Sequence, residues 1–294
     1  MLFSILIANY NNGQFFKACY ESIISQAYNN WEVIIVDDFS TDDSVEIIDT
    51  TIAGDSRFRL FKNHENRGCG YTKNKCAGEA KGFIMGFLDP DDTLMKDALE
   101  IMVGAHLENE HAAIITSRYN VVDQKLNFLR VGPNGSNIPK GESYLTFGYG
   151  AFTHFASFKI DAYIKTQGID RAMKRAVDQD LYYKLEEQGK HVFIDKALYN
   201  YRMHSENISL NQNSFKAKYW HLIAIKNAYK RRSKSNLLIE NIPRSRIFRL
   251  EVIHFAERIQ LARETGNTIQ EYFFLLKYFK ARIFQWLHEM RESK

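Results

Sequence analysis

The first hundred residues alternate apolar runs with helical patterns. Residues 3–8, 32–36, 58–61 and 83–88 read as strands, and the second and fourth are nearly continuous in apolar side chains. Such runs fit parallel strands covered on both faces. Helical patterns occupy residues 14–28, 41–52 and 71–81, and a further helix follows at 97–109. The second of these opens on Ser40 with Asp43 three residues later, close to a capping box. This alternation implies right-handed crossovers and an α/β, doubly wound, mostly parallel sheet. From 112 to 160 the pattern loosens into short strands and Gly-rich turns (Gly132-Pro133-Asn134-Gly135, Gly148-Tyr149-Gly150), before a helix at 179–188 and a strand near 192–194. Beyond Asn213 the chain becomes helical and basic, punctuated by Asn241-Ile242-Pro243 and Thr265-Gly266-Asn267. Thr268 and Glu271 form a capping box for a last helix. Its residues Ile269, Tyr272, Phe273, Leu276, Phe279, Ile283, Trp286, Leu287 and Met290 keep an i, i+3, i+4 spacing.

Charge divides the chain more sharply than length does. With 294 residues there is room for one large domain, or a domain and an appendage, around a sizeable core. Residues 1–204 hold 22 Lys+Arg against 27 Asp+Glu, a net of −5; residues 205–294 hold the remaining 17 against 8, a net of +9, and the two sum to +4. Two regions with different jobs are expected. Cys19, Cys69 and Cys76 form an odd set without CxxC spacing, which points to a reducing compartment and away from a disulfide frame or a zinc site. Residues 1–7 are apolar but lack a basic flank, so they read as a strand and not a leader. No run approaches the roughly 18 apolar residues of a membrane span, and a soluble, cytoplasmic protein is expected.

The polar clusters sit where such sheets bind ligands, beyond the carboxyl ends of strands. They are Asn9-Tyr10-Asn11-Asn12, Asp37-Asp38 and Asp89-Pro90-Asp91-Asp92. Three carboxylates packed that tightly repel unless a cation lies between them or one stays protonated. Oxygen ligands of this kind suit Mg²⁺ or Mn²⁺, which also take phosphate oxygens from a substrate. The plainer reading is a solvated acidic turn before the helix at 97–109. A carboxylate at Asp38 can accept hydrogen bonds from a nucleobase imide or a ribose hydroxyl. Asn66-Arg67-Gly68-Cys69-Gly70 feeds a helix carrying Lys73, and Arg67, Lys73 and the helix amino terminus suit a pyrophosphate. Asp178 and Asp180 open a helix, where they either favour its dipole or supply a general base to an acceptor hydroxyl. Arg202 and His204 follow the last predicted strand as phosphate- or metal-seeking groups.

In this order the segments resemble the family 2 inverting glycosyltransferases with the GT-A fold. The resemblance covers about residues 1–210. It is carried by Ser4-Ile5-Leu6-Ile7-Ala8-Asn9-Tyr10-Asn11-Asn12, Val36-Asp37-Asp38-Phe39-Ser40-Thr41-Asp42, Asn66-Arg67-Gly68, Phe87-Leu88-Asp89-Pro90-Asp91-Asp92, Val177-Asp178-Gln179-Asp180-Leu181 and Tyr201-Arg202-Met203-His204. It implies a catalytic domain at 1–210, with a nucleotide-sugar half at about 1–110 and an acceptor half at 111–210, then a helical basic tail at 211–294. The donor implied is a nucleoside diphosphate sugar, by family default a UDP-sugar. The acceptor implied is a glycan or lipid-linked saccharide hydroxyl. Ala8, Tyr10, Asp38, Arg67, Lys73, Asp89 and Arg202 would contact the donor. Asp91, with His204, would hold Mn²⁺ or Mg²⁺, and Asp178 would be the base. Three departures stand out: Ala8 where proline is frequent, Val177 where a Glu usually precedes the base, and Lys73 where Arg is frequent.

Two other readings compete. Asp89-Pro90-Asp91-Asp92-Thr93 also fits the nucleophile strand of haloacid-dehalogenase-type phosphatases, although that strand normally comes first in its sheet. A non-catalytic sugar-nucleotide or glycan-binding module is the other. The aromatic-dense stretch 144–160 gives His154 as an acceptor-side candidate. The basic, aromatic tail either lies on an anionic membrane surface or packs on the catalytic domain or a second subunit. No motif supports nucleic-acid binding.

Overall fold

Continuous apolar runs become the central strands. In a computed structural model of the chain, which describes residues 1–148, 150–204, 214–235 and 244–292, β1 (Phe3–Asn9), β2 (Trp31–Asp37), β3 (Phe58–Lys62) and β4 (Ile84–Phe87) pair in parallel in the order β3-β2-β1-β4. Every residue of β2 and β4 is buried. Successive side chains point to opposite faces, so both faces are covered there. The crossovers are α1 (Gly13–Ile24), α2 (Ser44–Ile52) and α3 (Cys69–Glu79). After α3 the chain passes to the other side of β1, which puts the topological switch point between β1 and β4.

The second half extends this sheet. It contains β5 (Thr93–Leu94), α4 (Ala98–Glu108), β6 (Ala112–Val122), β7 (Phe128–Val131), α5 (Tyr144–Phe147), β8 (Ser157–Lys159), α6 (Ile160–Ile164), α7 (Val177–Glu186) and β9 (Lys190–Arg202). The sheet continues β4-β8-β6-β9-β5, with β7 on β6. Among the described residues, β1–β4, β6 and β9 point one way and β5, β7 and β8 the other, so the sheet is mixed but mostly parallel. One hydrophobic cluster joins Phe3, Ile5 and Ile7 of β1 to Phe16 of α1, Leu99 and Met102 of α4, Ile115 of β6 and Tyr199 of β9.

Several local expectations shift. The helix expected to reach residue 28 ends at Ile24, because Gln26 turns its amide to the carbonyl of Met95 at 2.8 Å and Ala27 N–H bonds Lys96. Ser40 does not cap α2: its hydroxyl bonds Asp37 and accepts from Asn11 N–H, and the helix starts at Ser44. Where short strands were expected, β6 runs 11 residues, and β9 runs 13. Their mutual register, from Ala112↔Lys190 to Val122↔Arg202, supplies the order that local pattern lacks.

The chain divides into two compact units, residues 1–205 and 206–294. The expected boundary at 210/211, Tyr149 and the 241–243 punctuation lie outside the described residues. The second unit holds α8 (Ser214–Lys234), α9 (Arg244–Glu264) and α10 (Thr268–Glu292). Asn267, and not Thr268, caps α10, its side-chain oxygen accepting from Gln270 N–H at 3.1 Å, while Glu271 pairs with Arg263. Among the described residues, no helix is long and apolar enough to cross a membrane.

Two features of the first unit give testable expectations. Gly70 donates its N–H to Met173 O at 2.9 Å, and a Cβ there would lie 2.4 Å from the carbonyl oxygens of Asp170 and Met173. Gly70→Ala therefore lowers the melting temperature, overpacking costing about 1–3 kcal/mol of stability. Gly78→Ala, in the same helix with nothing within 4 Å, leaves stability equal or higher. Differential scanning calorimetry of the two variants reads the contrast.

His106 is buried against Ser157, 3.0 Å from its hydroxyl, and burial, helped by Lys159, pushes its imidazole down to about 3. The unfolded chain binds that proton near 6.5, so stability falls as pH drops from about 6.5 towards 3. Between pH 7 and 5, urea titrations of His106→Gln should show about 2 kcal/mol less loss than those of the parent.

Candidate functional site

The site grows from the carboxyl ends of β1 and β2. Asn9 donates to Asp37 at 2.7 Å, Ser40 N–H donates to the other Asp37 oxygen at 2.9 Å, and Thr41 N–H donates to Asn11 at 2.8 Å. This mesh holds two loops together and leaves Tyr10 exposed between them, beyond the half-buried Ala8. Asp38 is buried and takes Asn63 at 2.8 Å, Arg67 N–H at 2.9 Å and Gly68 N–H at 2.7 Å. Its carboxylate thus shapes the loop that precedes α3. The Arg67 guanidinium lies over the Tyr71 ring at 4.6 Å and bonds Glu65. Lys62, His64, Arg67 and Lys75 line a largely basic pocket of about 280 Å³ on this loop.

The acid turn between β4 and β5 is gripped from β9. Tyr199 OH donates to Asp92 at 2.6 Å, and Arg202 N–H donates to its other oxygen at 2.7 Å. Pairing of β5 with β9, Leu94 opposite Tyr199, sets that contact. Asp91 meets His204 Nε2 at 2.9 Å, and the His204 ring packs on Phe15 at 4.5 Å. The Arg202 guanidinium lies 5.1 Å from the centre of the same phenyl ring. Burial and the neighbouring carboxylates hold Asp92 well above the usual range, and burial with Asp89 raises Asp91. Asp89 goes the other way: burial would raise it, but Lys73 brings it down. His154 stacks on Tyr199 and Tyr201, and its ring nitrogen lies within 4.8 Å of oxygens of Asp89 and Asp92.

Asp178 joins this cluster through one lysine. Lys73 is 5% exposed, and its ammonium reaches both Asp178 oxygens, at 2.9 and 3.1 Å, and Asp89 at 3.4 Å. Burial alone would lower its pKa, but Asp178 and Asp89 carry it well above the ordinary value. Two residues before Asp178, Ala176 adopts φ 52°, ψ 27°, the left-handed conformation, which aims the first turn of α7. Asp180 does not enter the cluster; it is buried and paired with Lys184 at 2.5 Å.

Every expected site residue lies in this unit. Asp89, Asp91, Asp178, Lys73, His154, Arg202 and His204 form one connected cluster, while Tyr10, Asp38 and Arg67 surround the loops beside it. Sequence reading placed Asn9 in a polar strand end without a role, and missed other residues that hold the site: Asn63, Tyr199 and Phe15. Tyr199 sits two residues before Tyr201 on the same strand face, the one signal that could have marked it.

The donor set fits a divalent cation. Two carboxylates are driven towards protonation by burial and then by their own crowding, and two imidazoles stand beside them, so a cation would relieve a repulsion that Lys73 offsets at Asp89.

Comparison with known proteins agrees with this architecture. Residues 4–165 match the family described as glycosyl transferase family 2. The chain is 33% identical over 211 residues to a chondroitin synthase of Escherichia coli, covering 72% of this chain and 30% of that one. It is 32% identical over 218 residues to a hyaluronan synthase of Pasteurella multocida, covering 72% and 21%. The chain thus spans less than a third of the length of these relatives. Among solved structures, residues 1–349 of Staphylococcus aureus TarS in complex with UDP-GlcNAc superpose with a TM-score of 0.60 at 14% identity, over 95% of this chain and 92% of that one. The mannosyltransferase PcManGT of Pyrobaculum calidifontis, in complex with GDP-Man and Mn²⁺, gives 0.58 at 13% identity, over 98% and 84%. These likenesses show a shared GT-A fold, and the match over more than half its length establishes that the chain belongs to glycosyl transferase family 2.

Proposed function

We propose that the protein transfers a sugar, with inversion, from a nucleoside diphosphate sugar to a hydroxyl of a growing glycan or lipid-linked saccharide. One observation carries this reading. The Lys73 ammonium touches Asp178 and Asp89 together, so a half-exposed carboxylate stands beside the acid turn.

Tyr10, Ala8 and the loop shaped by Asp38 form the base and ribose side, with Arg67 at its edge. UDP is the preferred donor nucleotide, in keeping with the complexes of TarS with UDP and UDP-GlcNAc. Asp91 and His204 would hold the cation, with Asp89 and His154 beside them. The imidazoles tip the choice from Mg²⁺ towards Mn²⁺. A bound cation would neutralise charge on the departing diphosphate. On this reading His154 belongs to the diphosphate side of the cleft and not to the acceptor side.

Asp178 accepts the proton of the acceptor hydroxyl as its oxygen attacks the anomeric carbon. The bond from that carbon to the diphosphate oxygen breaks, and the nucleoside diphosphate leaves with the electron pair. One displacement inverts the centre. Lys73 keeps Asp178 oriented and adds positive charge on the Asp89 side, where negative charge develops. Arg202 supplies a second cation near the same turn. The matched relatives include chondroitin and hyaluronan synthases, which favours a polysaccharide acceptor over a small molecule. The family match leaves no support for the phosphatase alternative, and Asp178 beside the turn favours an enzyme over a binding module.

A panel of UDP- and GDP-sugars, with and without Mn²⁺, tests the reading by thermal shift. At least one nucleotide should raise the melting temperature, more so with Mn²⁺, and Asp91→Asn should remove the metal-dependent part. If no nucleotide stabilises the fold under either condition, the transferase reading fails. Asp178→Asn should lower turnover by about 10²–10⁴-fold while donor affinity stays unchanged. Turnover equal to the parent would remove Asp178 as the base.

A further inference from the structure

We infer that α10 lies on an anionic lipid surface, with its outward face seated at the headgroup boundary. Ile269, Leu276, Phe279, Ile283, Trp286 and Met290 are all exposed, Ile269 by 85% and Leu276 by 74%. Spacings of three and four residues put them on one side of the helix. The opposite side is already used by α9. Phe274 packs on Phe255 and beneath the Arg258 guanidinium, Ala281 is buried, and Glu271 is tied to Arg263. An apolar face this continuous marks an interaction surface.

Charge identifies the occupant. Lys277 and Lys280 are exposed beside this face, their ammonium groups over the rings of Phe273 at 4.3 Å and Phe284 at 5.9 Å. Arg282 and Arg291 are exposed along it as well. The described carboxylates of α10 are drawn elsewhere, Glu271 to Arg263 and Glu289 to Gln285. Residues 205–294 hold 17 Lys+Arg against 8 Asp+Glu. A helix with an aromatic face, basic borders and too little length of apolar chain to span is the form that rests in the interface of anionic bilayers. A second copy of the same face fits less well. It would oppose Lys and Arg to Lys and Arg, and Tyr272, Phe279 and Trp286 recur every seven residues where a two-helix seam prefers leucine.

Vesicle flotation of the full chain tests this without reference to sugar transfer. The protein should float with vesicles of phosphatidylcholine and phosphatidylglycerol, and far less with phosphatidylcholine alone. Raising the salt should weaken it. Lys277→Glu with Lys280→Glu should lower the vesicle partition coefficient at least about fivefold per charge. Leu276→Glu with Ile283→Glu should abolish flotation while the melting transition of the parent is retained. Should that pair unfold, quenching of Trp286 by brominated lipid, lost in Trp286→Phe, gives the same answer in a folded protein. Equal flotation on neutral and anionic vesicles, or none on either, overturns the proposal. So does a dimer in sedimentation velocity that Leu276→Glu and Ile283→Glu convert to monomer, because that assigns the face to a second copy.

Discussion

A buried ammonium shared by two carboxylates organises the first unit. Lys73 reaches this cluster from α3, where its stem is enclosed and Asp178 and Asp89 balance its charge. Removing a charge from water is costly unless it is paired, and this lysine is paired with two strand-distant segments at once. The ion pairs therefore tie the start of α7 to the turn after β4. The chain between those segments, nearly ninety residues long, can fold into strands and loops without losing that contact.

Backbone strain marks the same region. Among the described residues, five non-glycine positions have positive φ: Asn11, Phe39, Leu126, Phe155 and Ala176. Four of them flank Tyr10, Asp38, His154 and Asp178, and only Leu126 lies in a simple strand connection. Each left-handed residue costs about 1–2 kcal/mol, and such costs persist where surrounding contacts over-determine the chain. Here those contacts are visible: the Asn9–Asp37–Ser40 mesh for the first two, aromatic stacking against Tyr199 for Phe155, and the Gly70–Met173 bond ahead of Ala176.

How much was legible follows from the range of the interactions. The parallel half announced itself through buried runs such as Val33-Ile34-Ile35-Val36, and the polar strand ends marked the site. The family resemblance added Asp178, whose helix start alone gave an ambiguous signal. The strand read at 192–194 lies within β9, but its extension to 13 residues could not be read from the sequence, because that extension depends on β6 and not on local alternation. Ser40 looked like a helix cap until Asp37, three residues before it, claimed the hydroxyl. The pairing of Lys73 with Asp178 spans 105 positions and has no local signature.

The most direct measurement is a double-mutant cycle between Lys73 and Asp178, read by urea unfolding of the parent, Lys73→Met, Asp178→Asn and the combined variant. Asp178 is more than a third exposed, with 38% of its side chain accessible, so solvent screens part of the interaction. A coupling of about 1 kcal/mol or more is expected, because contacting charged residues are not additive. Additive effects, with coupling indistinguishable from zero, would mean that the two groups do not meet and that the cluster as described is not formed.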